Sequence, residues 1–291
     1  MANSLREVKS RINSTRNTAQ ITKAMYMVSQ SKVKKAEKSY KMYKDFMARI
    51  SSMVSDISSR ANEDYPHALL NEREIKKTAY LIITSDRGLA GAYNSNIYKA
   101  LDEIVKENHK SKDEYIVTSI GKLGYSFIKR RNYKTTQKKA LFVRDDVQFV
   151  DIQPLARMII NLYNKGEIDK FVIVYNHYVN SLTQEVKFEQ LLPIVKLDNN
   201  KSEVDYIYES GIEKTLDLVL PMYVEDIVYG VILDAKCAEH SARMNAMRSA
   251  TDNAEEVIDK LQLLYNRARQ AVVTNELIDI IGGANAIGGD D

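Results

Sequence analysis

Apolar or small residues recur in alternating steps of three and four from the start of the chain. The series is Leu5, Val8, Ile12, Thr15, Ala19, Thr22, Tyr26, Ser29, Val33, Ala36, Tyr40, Tyr43, Met47, Ile50, Val54 and Ile57. That spacing places one seam along one side of an α-helix. The first proline is Pro66 and the first glycine is Gly88, so no helix breaker interrupts the seam. Asn3 or Ser4 can cap the helix, and Glu7 is spaced to complete a capping box with Ser4. At about 1.5 Å per residue this helix is roughly 80 Å long. A compact domain of this size needs no helix of that length, and length without internal caps points to a coiled coil.

The end of the chain mirrors the start. Residues 231–281, between Gly230 and Gly282, contain neither glycine nor proline. Met247, Ala250, Ala254, Val257, Leu261, Leu264, Ala268, Ala271, Asn275 and Ile278 repeat the three-four spacing. Val231, Ala235, Ala238 and Ala242 carry the stripe backwards after a phase shift. Many of these residues are small, so helix axes can approach closely. Two long helices, each with one seam, most simply pair with each other. With a compact domain folded between them they run antiparallel. The predicted helices cover 1–60 and 231–281.

Between them, residues 75–195 alternate β-rich runs with helical patterns. Strands are predicted at Ala79–Thr84, Glu114–Ile120 and Phe171–Tyr175, with a weak one near Ala140. Helices are predicted near Asn94–Asn108, near Lys122–Arg131 and from Pro154 to Lys165. Such alternation means βαβ units and a mainly parallel sheet. Thr183–Leu191 alternates polar and apolar residues, as an antiparallel edge strand does. Residues 196–230 form a connecting segment, with a polar loop carrying an aromatic patch at Leu197–Ser210. The predicted fold is α/β plus long α: an antiparallel coiled coil with an inserted Rossmann-like α/β domain.

Charge adds a second asymmetry. The chain of 291 residues has a net charge of +3, yet residues 1–60 carry +9 and the remainder −6. A basic arm on a mildly acidic body suggests an acidic partner, the bland alternative being a solvated basic helix face. No apolar run reaches the roughly 18 residues that a membrane span needs, and the N-terminus lacks a secretory-signal layout. The single cysteine, Cys237, excludes an intrachain disulfide and suggests a reducing, cytosolic setting.

Catalytic and cofactor motifs are sparse. Ser85–Asn94 contains a glycine turn between a strand and a helix, where a phosphate could rest on a helix N-terminus. Neither GxGxxG nor GxxxxGK[ST] occurs there or elsewhere, and Gly121-Lys122-Leu123-Gly124 lacks the spacing. The bland alternative is a tight turn that needs positive φ. His67, His109, His177 and His240 are scattered, and Cys237 with His240 makes only two ligands. Asp145-Asp146 could do acid–base work, but adjacent carboxylates more often mark a loop. No cofactor and no metal is expected.

Two stretches call for partners instead. Ile21, Met25 and Val28 make a second stripe beside the seam, and seven of the eleven residues from Ala271 to Ile281 are apolar, on every face. A helix apolar on all sides is buried on all sides. A pair of helices cannot do that alone, so a third party must surround this end; the bland alternative is a local three-helix core or self-association.

These residues bring a resemblance into view. Gln20-Ile21-Thr22-Lys23-Ala24-Met25 with Met27-Val28-Ser29 is similar to the N-terminal helix of the F-type ATP synthase gamma subunit. Ala242-Arg243-Met244, Ala246–Ala254, Leu261, Tyr265–Gln270, Thr274, Glu276-Leu277 and Ile280 resemble its C-terminal motif. Ser85–Leu89 with Gly91 and Asn94 matches its first strand-to-helix turn. The similarity runs end to end, with the middle matching more weakly; Ala90 stands where many members carry cysteine.

The resemblance implies a non-catalytic shaft inside a ring of alpha and beta subunits. Its body would stand beside epsilon and on the membrane c-ring, so membrane contact would come only through the c-ring. It implies that Lys23 and Met25 face the beta subunits, and that Arg269, Gln270, Thr274 and Glu276 meet loops of the ring. Tyr206, Tyr208 and Glu209 would belong to the foot that meets epsilon and the c-ring. The lysines from Lys23 to Lys44 would face acidic ring surface. The absence of a transit peptide or chloroplast-type insertion suggests a bacterial member, peripheral on the cytoplasmic side of the cell membrane. The rival reading is a basic coiled-coil protein binding nucleic acid through the same lysines, although Met and Ile, rather than stacking aromatics, interleave them.

Overall fold

The computed structural model describes residues 2–60, 67–194 and 211–287. The chain divides into two compact units, residues 29–243 and residues 1–28 with 244–291. Helices α1 (Ala2–Arg60) and α5 (Ile212–Ile287) contribute to both.

The larger unit is built on a four-stranded sheet of order β2-β1-β3-β4, comprising β1 (Thr78–Ile83), β2 (Tyr115–Ile120), β3 (Lys170–Tyr178) and β4 (Gln184–Leu192). β1 pairs in parallel with β2 and β3, and β4 runs antiparallel along the edge of β3. Every β1 residue is buried, as a central parallel strand covered on both faces must be. On one face Tyr80, Ile82, Val117, Val172 and Val174 pack against α2 (Tyr93–Asn108) and α3 (Lys122–Arg131). On the other, Leu81, Ile83, Ile120, Phe171 and Ile173 pack against α4 (Phe149–Asn164) and the parts of α1 and α5 in this unit.

The long helices meet within this unit in opposite directions along their sequences. The Tyr43 hydroxyl donates to Asp226 O at 2.8 Å, whereas the Tyr40 hydroxyl reaches Asp234 Oδ2 at 3.3 Å. An earlier residue of α1 thus meets a later residue of α5.

The alternation of strands and helices is as the sequence predicts, and the antiparallel edge strand is present. Several boundaries differ; β3 runs on to Tyr178 rather than ending at Tyr175, and α5 ends at Ile287 rather than 281. The region near Ala140 makes only an isolated bridge, Ile120 to Leu141, in place of a strand. α4 begins at Phe149 instead of Pro154; its entry is fixed by the Gln148 N–H donating to Asp151 Oδ2 at 3.1 Å. α5 begins at Ile212, not 231, with Pro221 and Gly230 inside it. Here tertiary packing overrides intrinsic helix preference: Leu216, Leu220, Val224 and Val228 are fully buried, a four-step stripe that holds the extra turns in place.

Gly230 is needed for its lack of a side chain. A Cβ there would lie 2.8 Å from Cε1 of Tyr43. The Tyr43 ring cannot easily retreat, because its hydroxyl is bonded to Asp226 and its face meets Tyr229 edge-on at 4.8 Å. Gly230→Val is therefore expected to cost about 1–3 kcal/mol through overpacking, despite valine's better helix propensity. Gly88→Ala, where an added Cβ meets nothing within 4 Å, should stay within about 0.5 kcal/mol of the parent. Thermal denaturation of the two variants checks this; equal midpoints would contradict it.

Candidate partner-contact surface

The smaller unit consists of α1 up to Val28 and α5 from Met244. On α1 the buried and half-buried positions here are Leu5, Val8, Ile12, Thr15, Ala19, Thr22, Met25 and Tyr26. All but Met25 belong to the predicted seam. On α5 they include Met247, Thr251, Ala254, Ile258, Leu261, Tyr265, Ala268 and Val272. This is also a heptad seam, but every second position stands one residue later than predicted. Thr251, Ile258, Tyr265 and Val272 replace Ala250, Val257, Leu264 and Ala271 as its main positions. Both phases are apolar in sequence, so hydropathy alone could not separate them. The partner settles it: the Thr251 hydroxyl lies 2.8 Å from that of Thr22, and only the threonine phase brings the two together.

The phase shift has a consequence for the surface. Val257 and Leu264, freed from the seam, are exposed, as is Leu263. Ile21, Met27 and Val28 form an exposed apolar patch on α1, with Ile21 62% exposed. From Val273 to Gly282 every α5 side chain is exposed. Leu277, Ile278, Ile280 and Ile281 therefore all face outward, Ile280 at 68%. Exposed apolar side chains in such number, in two separate groups on α1 and at the end of α5, are candidates for covering by a partner.

The sequence-derived contact residues fall on this unit. Lys23, Arg269, Gln270, Thr274 and Glu276 are exposed, and Met25 is half-buried. The Thr274 hydroxyl donates to Gln270 O at 2.9 Å, one turn back. Arg269 makes no ion pair among the described residues, so its forked donors are not committed to the α1 helix. Tyr206, Tyr208 and Glu209, and the loop predicted at Leu197–Ser210, lie outside the described residues.

The alternative, a phosphate site on the α/β body, is closed by the chain itself. Asp86 Oδ1 accepts the Lys122 N–H at 3.0 Å, and Thr84 Oγ1 accepts the Gly124 N–H at 2.9 Å. The free donors of the α3 N-terminus are thus used internally. The glycines there serve close packing: a Cβ on Gly121 would lie 2.2 Å from Thr84 O, and Gly121 has φ +95°. In the Ser85–Asn94 turn the positive φ values belong to Leu89 and Gly91, and Asn94 ties the turn by accepting the Ser85 N–H at 3.0 Å. The crevice between the C-terminal ends of β1 and β3, where open α/β sheets bind ligands, is filled. The Asn176 amide donates to Tyr93 O at 2.8 Å, and the Tyr93 hydroxyl donates to Ala235 O of α5 at 3.1 Å.

Titratable groups in the body are likewise structural. Burial pushes the Cys237 thiol up to about 12, with Asp234 and Glu37 adding to it, so the thiol is inert. Burial also lowers His240, against the pull of Glu239 and Asp145. No group of three or more possible metal ligands occurs among the described residues. No helix among the described residues is long and apolar enough to cross a membrane. The feature that sequence reasoning missed is a set of buried acids on α5. Glu225, Asp226, Asp234 and Glu239 are all buried, and their recurrence within a stretch otherwise rich in Val, Ile and Ala was the available signal.

Comparison with known proteins agrees with this geometry. A chain of the mitochondrial ATP synthase of Euglena gracilis, from its OSCP/F1/c-ring assembly, superposes with a TM-score of 0.69 at 20% identity, covering 99% of this chain and 96% of that one. A second Euglena gracilis chain, from the rotor of that synthase, gives 0.64 at 17%, covering 94% and 100%. A chain from the central stalk and c-ring of the Tetrahymena thermophila mitochondrial ATP synthase gives 0.59 at 24%, covering 79% and 99%. At these identities the likeness establishes the fold. The sequence profile of the ATP synthase family matches residues 4–287, nearly the whole chain, and so this protein belongs to the F-type ATP synthase gamma-subunit family.

Proposed function

We propose that the chain is the central rotary shaft of an F-type ATP synthase, a non-catalytic subunit that couples a membrane rotor to the nucleotide sites of a surrounding ring. The observation that carries the reading is the stretch of α5 from Val273 to Ile281, exposed along its whole length although Val273, Leu277, Ile278, Ile280 and Ile281 are apolar, in a chain of this family. Such a surface needs a bearing that encloses it, and a ring of alpha and beta subunits is one. The two terminal helices act as one antiparallel coiled coil, residues 1–60 with 231–281, extended toward Ile212 by the added turns of α5. Residues 75–195 form the body. The segment 196–230 is the foot and the lead-in to the C-terminal helix, and Tyr206, Tyr208 and Glu209 are the foot residues that meet epsilon and the c-ring. In a bacterial cell this places the protein peripherally on the cytoplasmic side of the membrane.

In this reading each shaft angle stabilises one conformation of each beta subunit over the others, and rotation exchanges them. Lys23 and Met25 face the beta subunits, while Arg269, Gln270, Thr274 and Glu276 face loops of the ring. The uncommitted guanidinium of Arg269 suits a carboxylate partner. The nucleic-acid reading loses part of its basis, because Lys32, within the lysine stripe, is paired with Asp145 at 2.6 Å. That pairing also removes Lys32 from the set expected to face the ring.

Two tests follow from the contact residues. Met25→Lys adds a charge two residues from Lys23, on the side of α1 proposed to turn against acidic partners. An angle-dependent attraction of about 1.4 kcal/mol changes the relative populations of rotor states tenfold. Ion pumping per ATP hydrolysed should fall while the complex still assembles; wild-type pumping would remove Met25 from the interface. Replacing Arg269 and Gln270 together by alanine should lower ATP synthesis and multisite hydrolysis several-fold. Neither is on the seam, so helix content and thermal midpoint of the isolated chain should not move. A large loss of thermal stability would make the pair structural, and full rates in the complex would remove it from the torque path.

A further inference from the structure

A shaft that carries torque needs a joint between the part that is driven and the part that drives. Apolar packing is poorly suited to the task, because it is non-directional and lets one smooth surface creep over another. Directional polar bonds resist such creep, most of all where they lie away from the axis of twist.

Two residues of the α/β body each hold both long helices. Asp145 lies in the loop between α3 and α4. Its Oδ2 is 2.6 Å from Lys32 Nζ on α1, and its Oδ1 is 3.7 Å from Lys236 Nζ and 3.5 Å from His240 Nε2 on α5. Tyr178 closes strand β3. Its backbone N–H donates to Asp234 Oδ1 on α5 at 2.8 Å, and its hydroxyl donates to Glu37 Oε1 on α1. Beside it, His177 Nδ1 lies 2.5 Å from Asp234 Oδ2. Asp145 and Tyr178 thus each engage both helices at once.

Their partners are costly to leave unmatched. The side chains of Lys236, Glu239 and Asp234 are at most 8% exposed. A buried charge without a partner is strongly destabilising. Lys236 also meets Glu239 Oε2 at 3.3 Å, and Glu239 Oε1 in turn meets Arg243 at 2.9 Å. The Asp145 contact is therefore continuous with a run of paired charges along α5. The packing of the Leu220–Ile232 stripe against the sheet already supplies cohesion, so these bonds add register and angle.

We propose that Asp145 and Tyr178 form a two-point clamp that fixes the angle of the helix pair on the α/β body and is the joint through which torque passes between them. This rests on the shaft reading above. Both are positioning residues; neither touches a nucleotide or an ion.

The test uses the assembled alpha–beta ring with the full chain, immobilised by the ring, with a bead on the α/β body. Angular fluctuations of the bead are recorded during catalytic dwells. Asp145→Asn keeps the shape of the side chain and removes its charge, and Tyr178→Phe keeps the ring and removes the bond to Glu37. In the double variant the angular variance should rise roughly twofold, since networked polar contacts act together, while dwell times and hydrolysis rate stay at the parent level. Asp145→Glu should restore most of the stiffness. Parent-like variance in the double variant overturns the clamp. So does an equal rise with Asp146→Ala, whose carboxylate makes none of these contacts. Tyr178→Phe alone should give a smaller rise and carries the test if the double variant fails to assemble. Failure of the unmodified chain to rotate in the ring would instead overturn the shaft reading and is seen in the same experiment.

Discussion

The close approach of α5 to α1 is the constraint on which the rest depends. Gly230 lets the α5 backbone come within reach of the Tyr43 ring, and Tyr43 then bonds to Asp226 one turn away. Once that register is set, Tyr40 meets Asp234, and Asp234 is placed for the end of β3. The sheet in turn needs the helix pair. One face of β1 and β3 would be only partly covered by α4, and residues such as Val54, Val224 and Val228 complete the layer. The body and the helices within this unit therefore share one core.

The same economy explains why an α/β sheet with a strand-order reversal holds no nucleotide motif. The crevice that would accept a ligand is spent on the helix: Tyr93 and Asn176 bind each other and the α5 backbone there. The α3 N-terminus, a natural anion site, is bonded to Thr84 and Asp86. The fold is used as a mount, and its binding positions have become fastening positions. In the proposed function chemistry is left to partners, which would meet the apolar side chains exposed on α1 and α5.

Much of this was legible from spacing. Every predicted α1 seam position from Leu5 to Ile57 is buried or half-buried, although Ile21, Met25 and Val28 offer a second stripe over part of it. The α5 seam is misread by one residue at alternate positions because Val257 and Leu264 offer one. The start of α5 was hidden by Pro221 and Gly230, whose local cost is outweighed by burial of Leu216, Leu220 and Val224. The proposed contact residues Lys23, Met25, Arg269 and Gln270 come from motif likeness, and the structure adds only that Met25 is half-buried and the other three exposed. Asp145 was noticed only as one of a pair of loop acids. Its partners, Lys32 and Lys236, are far away in sequence, and no local pattern reports a contact of that range.

The central claim is that the apolar side chains exposed on α1 at Ile21, Met27 and Val28 and on α5 from Val273 to Ile281 are bearing surface, enclosed when the chain is in its ring. Hydroxyl-radical footprinting of the free chain and of the chain assembled with alpha and beta subunits tests it directly. Ile21, Met27, Leu277, Ile280 and Ile281 should be labelled readily in the free chain and lose most of that labelling on assembly, while Leu182, exposed on the turn between β3 and β4, stays labelled in both. Equal labelling of the apolar end in the free and assembled states would contradict the account.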